Sequence, residues 1–211
     1  EFKVKHLFGS CRNLYVVSIE TDETTTGLTF WGCAASEATD SSGEKLLVDG
    51  IDISDFENGV AQLNWEHENP DDEDYKDKRH PADEIVGRIL TGYKVFKESD
   101  CRNEYDRKQW KNTQLPFVAV VCRLYDGAGH PGAVNLAAIM RDHAANGEKV
   151  LARLSIEGST LTRDENDKNK ITSSVAKICA ITIKPSNRVC DVDVLLDPNA
   201  PKGFNKEPGA D

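Results

Sequence analysis

The 211-residue sequence lacks several features that mark common classes of protein. It has no run of 18 apolar residues, so we predict no transmembrane helix and no membrane partner. Its first residues, EFKVK, contain no apolar signal region, and we therefore do not expect export by that route. It has no block of Lys and Arg, and its formal net charge is -10. Because phosphate contacts need clustered basic residues, this disfavours nucleic acid as a partner.

Three catalytic sequence motifs are also missing. Neither a P-loop nor a GxGxxG fingerprint occurs, so nucleotide hydrolysis and dinucleotide chemistry have no support in the sequence. The absence of a GxSxG motif disfavours an α/β-hydrolase. The sequence therefore gives no support to P-loop nucleotide hydrolases, dinucleotide-dependent enzymes or α/β-hydrolases.

The cysteines do not form a recognisable metal or redox motif. Six are present, at positions 11, 33, 101, 122, 179 and 190, and no two have CxxC spacing. Cys122 and Cys179 fall in apolar, strand-like runs, where a reduced cysteine behaves as a small hydrophobic residue. Without a signal region, we expect a reducing compartment and free thiols.

The hydrophobic pattern predicts many strands and one long helix. The helix covers about 131–146, because Pro131 suits a first turn and Gly147 suits a C-terminal cap. Strands are predicted near 14–19, 27–34, 60–67, 85–96, 115–122, 150–156 and 171–183. This order predicts an α+β domain built on an antiparallel sheet or barrel.

The sequence predicts one domain followed by a tail. The domain is expected to cover 1–197, with polar insertions at about 36–45, 69–84 and 100–113. Residues 198–211 are rich in Pro, Gly and Lys, and we expect them to form a disordered C-terminal tail.

Two residues are candidates for catalysis. His67 ends the predicted strand 60–67 and opens a polar loop, and a rigid strand end can position a side chain beside a cleft. Ser155 is polar within an apolar strand, and a histidine across the sheet would activate it as a nucleophile. Two alternatives stay open: a structural histidine, and a serine hydroxyl that bonds only to backbone.

The acidic residues around 66–74 suggest a cation site as a further alternative. Glu66 and His67 are neighbours on a predicted strand, so their side chains point to opposite faces and do not easily reach one ion. The aspartate run also lacks the spacing of an EF-hand loop. We therefore expect a solvated acidic loop, with no metal and no cofactor.

Four short motifs follow one another along the chain: NWEH at 64–67, IVGR at 85–88, LSIEG at 154–158 and AITIKPSN at 180–187. The predicted helix stands between the second and the third. In this order the chain resembles the prohead (procapsid maturation) proteases of tailed bacteriophages, a family related in fold to the herpesvirus assembly proteases. Members carry similar stretches: Trp-x-His, Ile-Gly-Arg, Ser-Ile-Gly, and a strand followed by Pro-Ala-Asn. The likeness covers about residues 14–197, and the long insertions suggest a member from a large myovirus.

The resemblance implies a serine endopeptidase with a small, mostly antiparallel β-barrel flanked by helices. Ser155 would be its nucleophile and His67 its general base. Backbone N–H groups of Asn187 and Arg188 would form the oxyanion hole. A basic residue, Arg153 or Arg188, would bind a substrate glutamate.

The third member of the catalytic set departs from the family pattern. Relatives carry Asp, Glu or His on the return strand, at a position that corresponds to 178–180 in this sequence. Only Cys179 is at all polar among these three residues. The third residue is therefore left unassigned, with a Ser–His dyad as one of the alternatives.

The resemblance also implies substrates and a location. The family removes segments of scaffold and capsid proteins inside the prohead, often after Glu that follows a small or apolar residue two positions earlier. Glu37 and Glu44 fit this pattern as self-cleavage sites. The expected partners are the scaffold or core proteins and the major capsid protein, inside the prohead in the bacterial host cytoplasm or in the virion. A homo-oligomer is left open.

The main alternative is a non-catalytic capsid or tail-tube-like structural protein, because phage tail-tube proteins have related barrels. The two functions make different demands on His67 and Ser155. A protease needs the two side chains to converge, whereas a structural protein does not.

Overall fold

A computed structural model describes residues 14–16, 27–40, 43–66, 84–146, 149–150, 152–182 and 194–195. The strands are β1 (Leu14–Val16), β2 (Thr29–Ser36), β3 (Lys45–Leu46), β4 (Ile51–Asp52), β5 (Gln62–Trp65), β6 (Ile85–Val95), β7 (Phe117–Leu124), β8 (Lys149–Val150), β9 (Arg153–Arg163), β10 (Lys170–Thr182) and β11 (Val194–Leu195). The helices are α1 (Ser54–Glu57), α2 (Glu104–Thr113) and α3 (Pro131–Ala145), and two short 3-10 turns lie at Glu98–Asp100 and Asp126–Ala128.

Nine strands form one sheet, and four of them pair with β10. The main path runs β1-β2-β7-β6-β5-β10-β3, and β4 and β9 also pair with β10. The pairs are antiparallel except that β3, β4 and β5 run parallel to β10. Strands β8 and β11 form a separate antiparallel pair. The large sheet curls into a half-barrel with few helices, which confirms the predicted α+β class and the mainly antiparallel sheet.

The long helix predicted at 131–146 is confirmed as α3. Its first turn is capped by His130, whose Nδ1 accepts the backbone N–H of Ala133 at 3.3 Å. Ala133, Leu136, Ala137 and Met140 recur at helical spacing and enter the larger hydrophobic cluster. Helix α3 therefore joins the core through one apolar face.

The larger cluster lines one face of the strands that surround β10. Its strand members include Phe30, Leu63, Ile89, Val120, Cys122, Leu154, Ile156, Cys179 and Ile181. Cys122 and Cys179 are free thiols with no exposed surface, as the apolar runs around them predict. Burial raises the pKa of both thiols, so they stay protonated and pack as apolar groups.

Helix α2 covers the other face of β2, β6 and β7. Its Tyr105 stacks on Trp31 with ring centroids 6.1 Å apart, and Trp31 also meets Phe117 edge-on at 6.4 Å. These rings belong to a second buried cluster that includes Tyr93, Val95, Ala119 and Val121. The polar segment 100–113, predicted as an insertion, therefore contains the helix that covers this face of the sheet.

A buried carboxylate ties α2 to the sheet. Asp106 has no exposed surface, and it accepts hydrogen bonds from Trp31 Nε1 at 2.9 Å and from the Tyr93 hydroxyl at 2.9 and 3.0 Å. The backbone N–H groups of Arg102 and Asn103 also donate to it, at 2.7 and 3.3 Å. Burial raises the pKa of Asp106, and these donors oppose that shift.

Two glycines of the sequence motifs are required by close strand contacts. A Cβ on Gly158 would lie 1.7 Å from the carbonyl oxygen of Val175, and a Cβ on Gly87 would lie 2.3 Å from that of Arg123. Real Cβ atoms do not approach that closely, so any side chain would push the paired strands apart. The glycines in IVGR and LSIEG therefore have a packing role.

The expectation that all thiols are free is wrong at Cys33. This buried residue of β2 is disulfide-bonded, and its partner lies outside the described residues. The prediction failed because it rested on compartment alone, without any estimate of which cysteines the fold brings together.

A thiol titration checks this disulfide. In denaturant without reductant, we expect at most four of the six cysteines to react, and all six after reduction. Peptide mapping of the alkylated protein should find Cys33 unmodified before reduction and modified after it. Six reactive thiols without reductant would contradict the bond.

Candidate functional site

Two of the predicted site residues, Ser155 and Arg153, are described by the structure, and both lie on β9. His67, Asn187 and Arg188 lie outside the described residues, as do the acidic run 71–74 and the predicted tail 198–211. The site can therefore be built from β9 and from the strands next to it.

Strand β9 is held by a tight hairpin to β10. In the charged turn between them, the N–H of Asp164 donates to the carbonyl of Lys170 at 2.9 Å, and the Lys170 ammonium meets the Asp164 carboxylate at 2.9 Å. The ammonium lowers the pKa of Asp164, and the carboxylate raises the pKa of Lys170. This turn joins β9 to β10, and it sets the register of both strands.

The two faces of β9 differ in chemistry. Leu154 and Ile156 enter the larger hydrophobic cluster. Arg153, Ser155 and Glu157 alternate with them and therefore share the opposite face. These three polar side chains are 8%, 7% and 3% exposed, respectively, so that they form a buried polar row.

Ser155 lies in register with residues on two further strands. It pairs with Ala180 on β10, and Ala180 pairs with Asn64 on β5. Residues that are paired across strands point to the same face of the sheet. Ala180 is buried but belongs to neither hydrophobic cluster, consistent with a row Ser155–Ala180–Asn64 on the face away from the core.

Asn64 is the residue in this row that sequence reasoning missed. It is 4% exposed, and its Oδ1 is buried without a hydrogen-bond partner. The neighbouring residue Leu63 faces the core, which leaves Asn64 on the serine face. The sequence showed only that Asn64 is a polar residue within the alternating run Ala61–Trp65. Nothing in the sequence relates Asn64 to Ser155.

The end of β5 brings the chain towards this row just before His67. The N–H of Glu66 donates to the carbonyl of Ile181 at 2.9 Å, which extends the pairing of β5 with β10 by one residue. Glu66 has a φ of 61°, so the regular strand ends there. The described part of the chain stops at this point, one residue short of His67.

The return strand offers no acidic residue opposite Ser155. Ala180 is its partner, Ile178 pairs with Glu157, and Cys179 pairs with Ile156. Cys179 therefore points into the core, on the face of the sheet opposite to Ser155. The nearest acid lies on β9 itself: Glu157 follows Ser155 by two residues and shares its face.

Arg153 lies on the same face of β9 as Ser155, and the acid Glu157 shares this face. Both Arg153 and Glu157 are more than nine-tenths buried, so the face is polar and mixed in charge. This face of β9 is therefore less positive than a pocket lined by arginines alone.

The glutamates that fit the self-cleavage pattern are held in place. Oε1 of Glu37 accepts the N–H of Val48 at 3.0 Å, and Glu44 forms an ion pair with Arg163 at 2.7 Å. Cleavage at either residue would require the local structure to open first.

Two kinds of feature are absent from the ranges that the structure describes. Within them, no group of three or more His, Cys, Asp or Glu residues is arranged to hold a metal ion. No helix among those residues is both long enough and apolar enough to cross a membrane.

Neither the family models, nor the curated proteins, nor the solved structures contain a match to this chain.

Proposed function

We propose that the protein is a serine endopeptidase of the prohead maturation type, with Ser155 as nucleophile and His67 as general base. The finer fold assignment, a herpesvirus-protease-like barrel, is part of this proposal. One observation carries it: β5 and β9 both pair with β10, so that the strand leading to His67 and the strand of Ser155 flank the same neighbour. Ser155 and His67 are far apart in sequence, but the strand that leads to His67 lies only about two strand spacings from the strand of Ser155.

The chemistry follows from a serine and a histidine in contact. The imidazole removes the proton from Ser155 Oγ, and the oxygen attacks the carbonyl carbon of the scissile peptide bond. The imidazolium then passes the proton to the leaving amine, which leaves an acyl-enzyme. Water attacks the ester with the same base, and Ser155 recovers its proton as the acid product departs.

Electrostatic stabilisation of the oxyanion would come from backbone N–H groups, for which Asn187 and Arg188 are the candidates. Arg153 or Arg188 would bind a substrate glutamate. Among these, Arg153 already lies two residues from Ser155 on the same face of β9. Charge reversal at each arginine, assayed with Glu and Gln peptides, tests which of them sets the preference.

The substrates in this proposal are segments of scaffold or core proteins and of the major capsid protein, cleaved inside the prohead in the bacterial host cytoplasm. Processing of the protein's own chain is included. Because Glu37 and Glu44 are tied to neighbouring groups, self-processing at these sites would be slower than cleavage of an extended substrate.

Reaction with a fluorophosphonate tests the nucleophile directly. We expect one label per molecule, mapped by mass spectrometry to Ser155, because an activated serine attacks the phosphorus whereas unactivated serines do not. The label should be absent from heat-unfolded protein. Lack of labelling, or labelling at another serine, would contradict the proposal and favour the structural-protein alternative.

A further inference from the structure

A row of polar side chains crosses four neighbouring strands of the sheet. In cross-strand register, the row consists of Gln62 on β5, Arg88 on β6, Arg123 on β7 and Thr29 on β2. Residues that are paired across strands point to the same face of a sheet. Each of the four is followed along the chain by a member of the larger hydrophobic cluster, namely Leu63, Ile89, Leu124 and Phe30. The row therefore lies on the outer face of the sheet, away from that core.

The two arginines in the middle of the row lie directly opposite each other. Arg88 pairs with Arg123 in antiparallel register, which places their Cβ atoms about 4.5–5.5 Å apart. Like charges at this position are destabilising. The chain contains 36 acids and has a net charge of -10. Even so, no carboxylate of the described ranges lies within ion-pair distance of either arginine. This uncompensated pair points to a negatively charged partner from solution.

The acid that shares this row is too distant to neutralise the pair. Beyond Gln62 the row continues through Ile178 on β10 to Glu157 on β9. Glu157 is three strand spacings from Arg88, which is about 14 Å. The Debye length at physiological ionic strength is about 8 Å, so the Glu157 carboxylate offsets little of the positive charge at the surface of β6 and β7.

Both guanidinium groups keep donors for a ligand. Arg88 Nη2 donates to the carbonyl of Gly59, which uses one of its five N–H donors. Nε of Arg123 is buried without an acceptor, and the Arg123 side chain makes no hydrogen bond to any other residue that the structure describes. Both arginines are partly exposed, so an anion can approach the pair from solvent.

We propose that Arg88 and Arg123 form a binding site for a phosphate-type oxyanion. Two adjacent guanidinium groups carry two positive charges, and each can donate two parallel N–H bonds to an oxyanion. A phosphate dianion matches this charge and this number of donors better than a single carboxylate does. Thr29 and Gln62, at the ends of the row, can donate further hydrogen bonds. The site shares no residue with the row of Ser155, and the inference stands without the proposed function.

Titration with inorganic phosphate, above its second pKa, tests the site in the full chain. In ¹⁵N NMR, the Nε–Hε signal of Arg123 should shift with phosphate and stay in place with sodium chloride of equal ionic strength. Phosphate should also raise the Tm, because a ligand that binds the folded state alone stabilises it by mass action. At about 100 times the Kd, the folding constant should increase about 100-fold.

Two matched variants separate this site from a general charge effect. Arg123→Gln should raise the Kd for phosphate by about tenfold or more, because it removes a charged donor. Its Tm without phosphate should equal or exceed that of wild type, since the repulsion from Arg88 is removed. Arg107→Gln makes the same change of charge at an exposed position of α2, and it should bind phosphate like wild type.

The proposal is overturned if chloride reproduces the effects of phosphate, or if Arg123→Gln binds phosphate as tightly as wild type. An equal loss of binding in Arg107→Gln would also overturn it, because the effect would then depend on net charge alone. Acetate serves as the carboxylate probe, and tighter binding of acetate than of phosphate would contradict the assignment to a dianion. Ser155→Ala should bind phosphate like wild type, so the outcome does not depend on whether the protein is a protease.

Discussion

Replacement of Ser155 by alanine is expected to lower peptide cleavage by on the order of 10⁴–10⁶-fold, because no other group supplies the attacking oxygen. The variant should fold normally. Ser155 is small, and alanine fills nearly the same volume on a strand that is fixed by its pairing with β10. The measurement is kcat/KM on peptides with Glu before the scissile bond, with circular dichroism to verify the fold.

Ser159→Ala provides the matched control for this experiment. Ser159 lies on the same strand and the same face as Ser155, four residues further along, and is partly exposed. Its variant should keep wild-type activity. Equal activity in Ser155→Ala and wild type would remove the mechanism, and inactivity of all three proteins would favour a structural role.

Asp106→Ala is expected to lower the free energy of unfolding by about 3–5 kcal/mol, the largest effect on stability that we predict. The substitution leaves the donors of Trp31, Tyr93, Arg102 and Asn103 without their common acceptor. It also removes half of the N-terminal capping box: the carboxylate no longer accepts the N–H of Asn103, whereas the backbone N–H of residue 106 can still donate to Asn103 Oδ1. Chemical denaturation measures the loss.

Glu104→Ala is the control on the same helix. Glu104 meets Lys108 at 3.7 Å in a partly exposed i,i+4 pair, and removal of such a pair costs less than about 1 kcal/mol. Similar losses in Asp106→Ala and Glu104→Ala would show that the buried network does not stabilise the fold as proposed.

The raised pKa of Asp106 also predicts the sign of a pH effect. In the folded state the carboxyl holds its proton more tightly than in the unfolded chain, because burial disfavours the charge. Its contribution to stability is therefore fully present below the unfolded pKa of 3.8 and is lost as the pH rises through the folded pKa.

Comparison with Asp106→Asn isolates this effect from the other acids. The difference in unfolding free energy, wild type minus variant, should decrease as the pH rises from below 3.8. Asp52 and Asp164, whose pKa values are lowered, act with the opposite sign in both proteins and cancel in the difference. A difference that is constant or increases with pH would contradict the prediction.

Local patterns were sufficient to predict most elements. The strand predicted at 115–122 is β7, the strand predicted at 60–67 is β5, and the helix predicted at 131–146 is α3. These elements depend on interactions within a few residues, which a single sequence displays. The strand predicted at 85–96 is β6, and its pairing with β7 continues through Gly92.

The candidate site could be predicted only in part. Ser155 stood out as a polar residue in an apolar strand, and the structure describes it as buried on the polar face of β9. Asn64 did not stand out, since its relation to Ser155 passes through β10, more than a hundred residues away along the chain. Likewise, Asp106 appeared as one acid in a polar segment, and only packing against Trp31 and Tyr93 makes it central.

By itself, the sequence determined the kind of protein fold: an α+β chain with many strands, one long helix before the Ser155 strand, and two buried thiols at Cys122 and Cys179. It did so because hydrophobic periodicity and turn residues act locally. The tertiary structure alone decided that β5 and β9 meet on either side of β10, that Cys179 faces the core, and that Cys33 is cross-linked. Register between distant strands arises from packing of the whole sheet, and no short stretch of sequence encodes it.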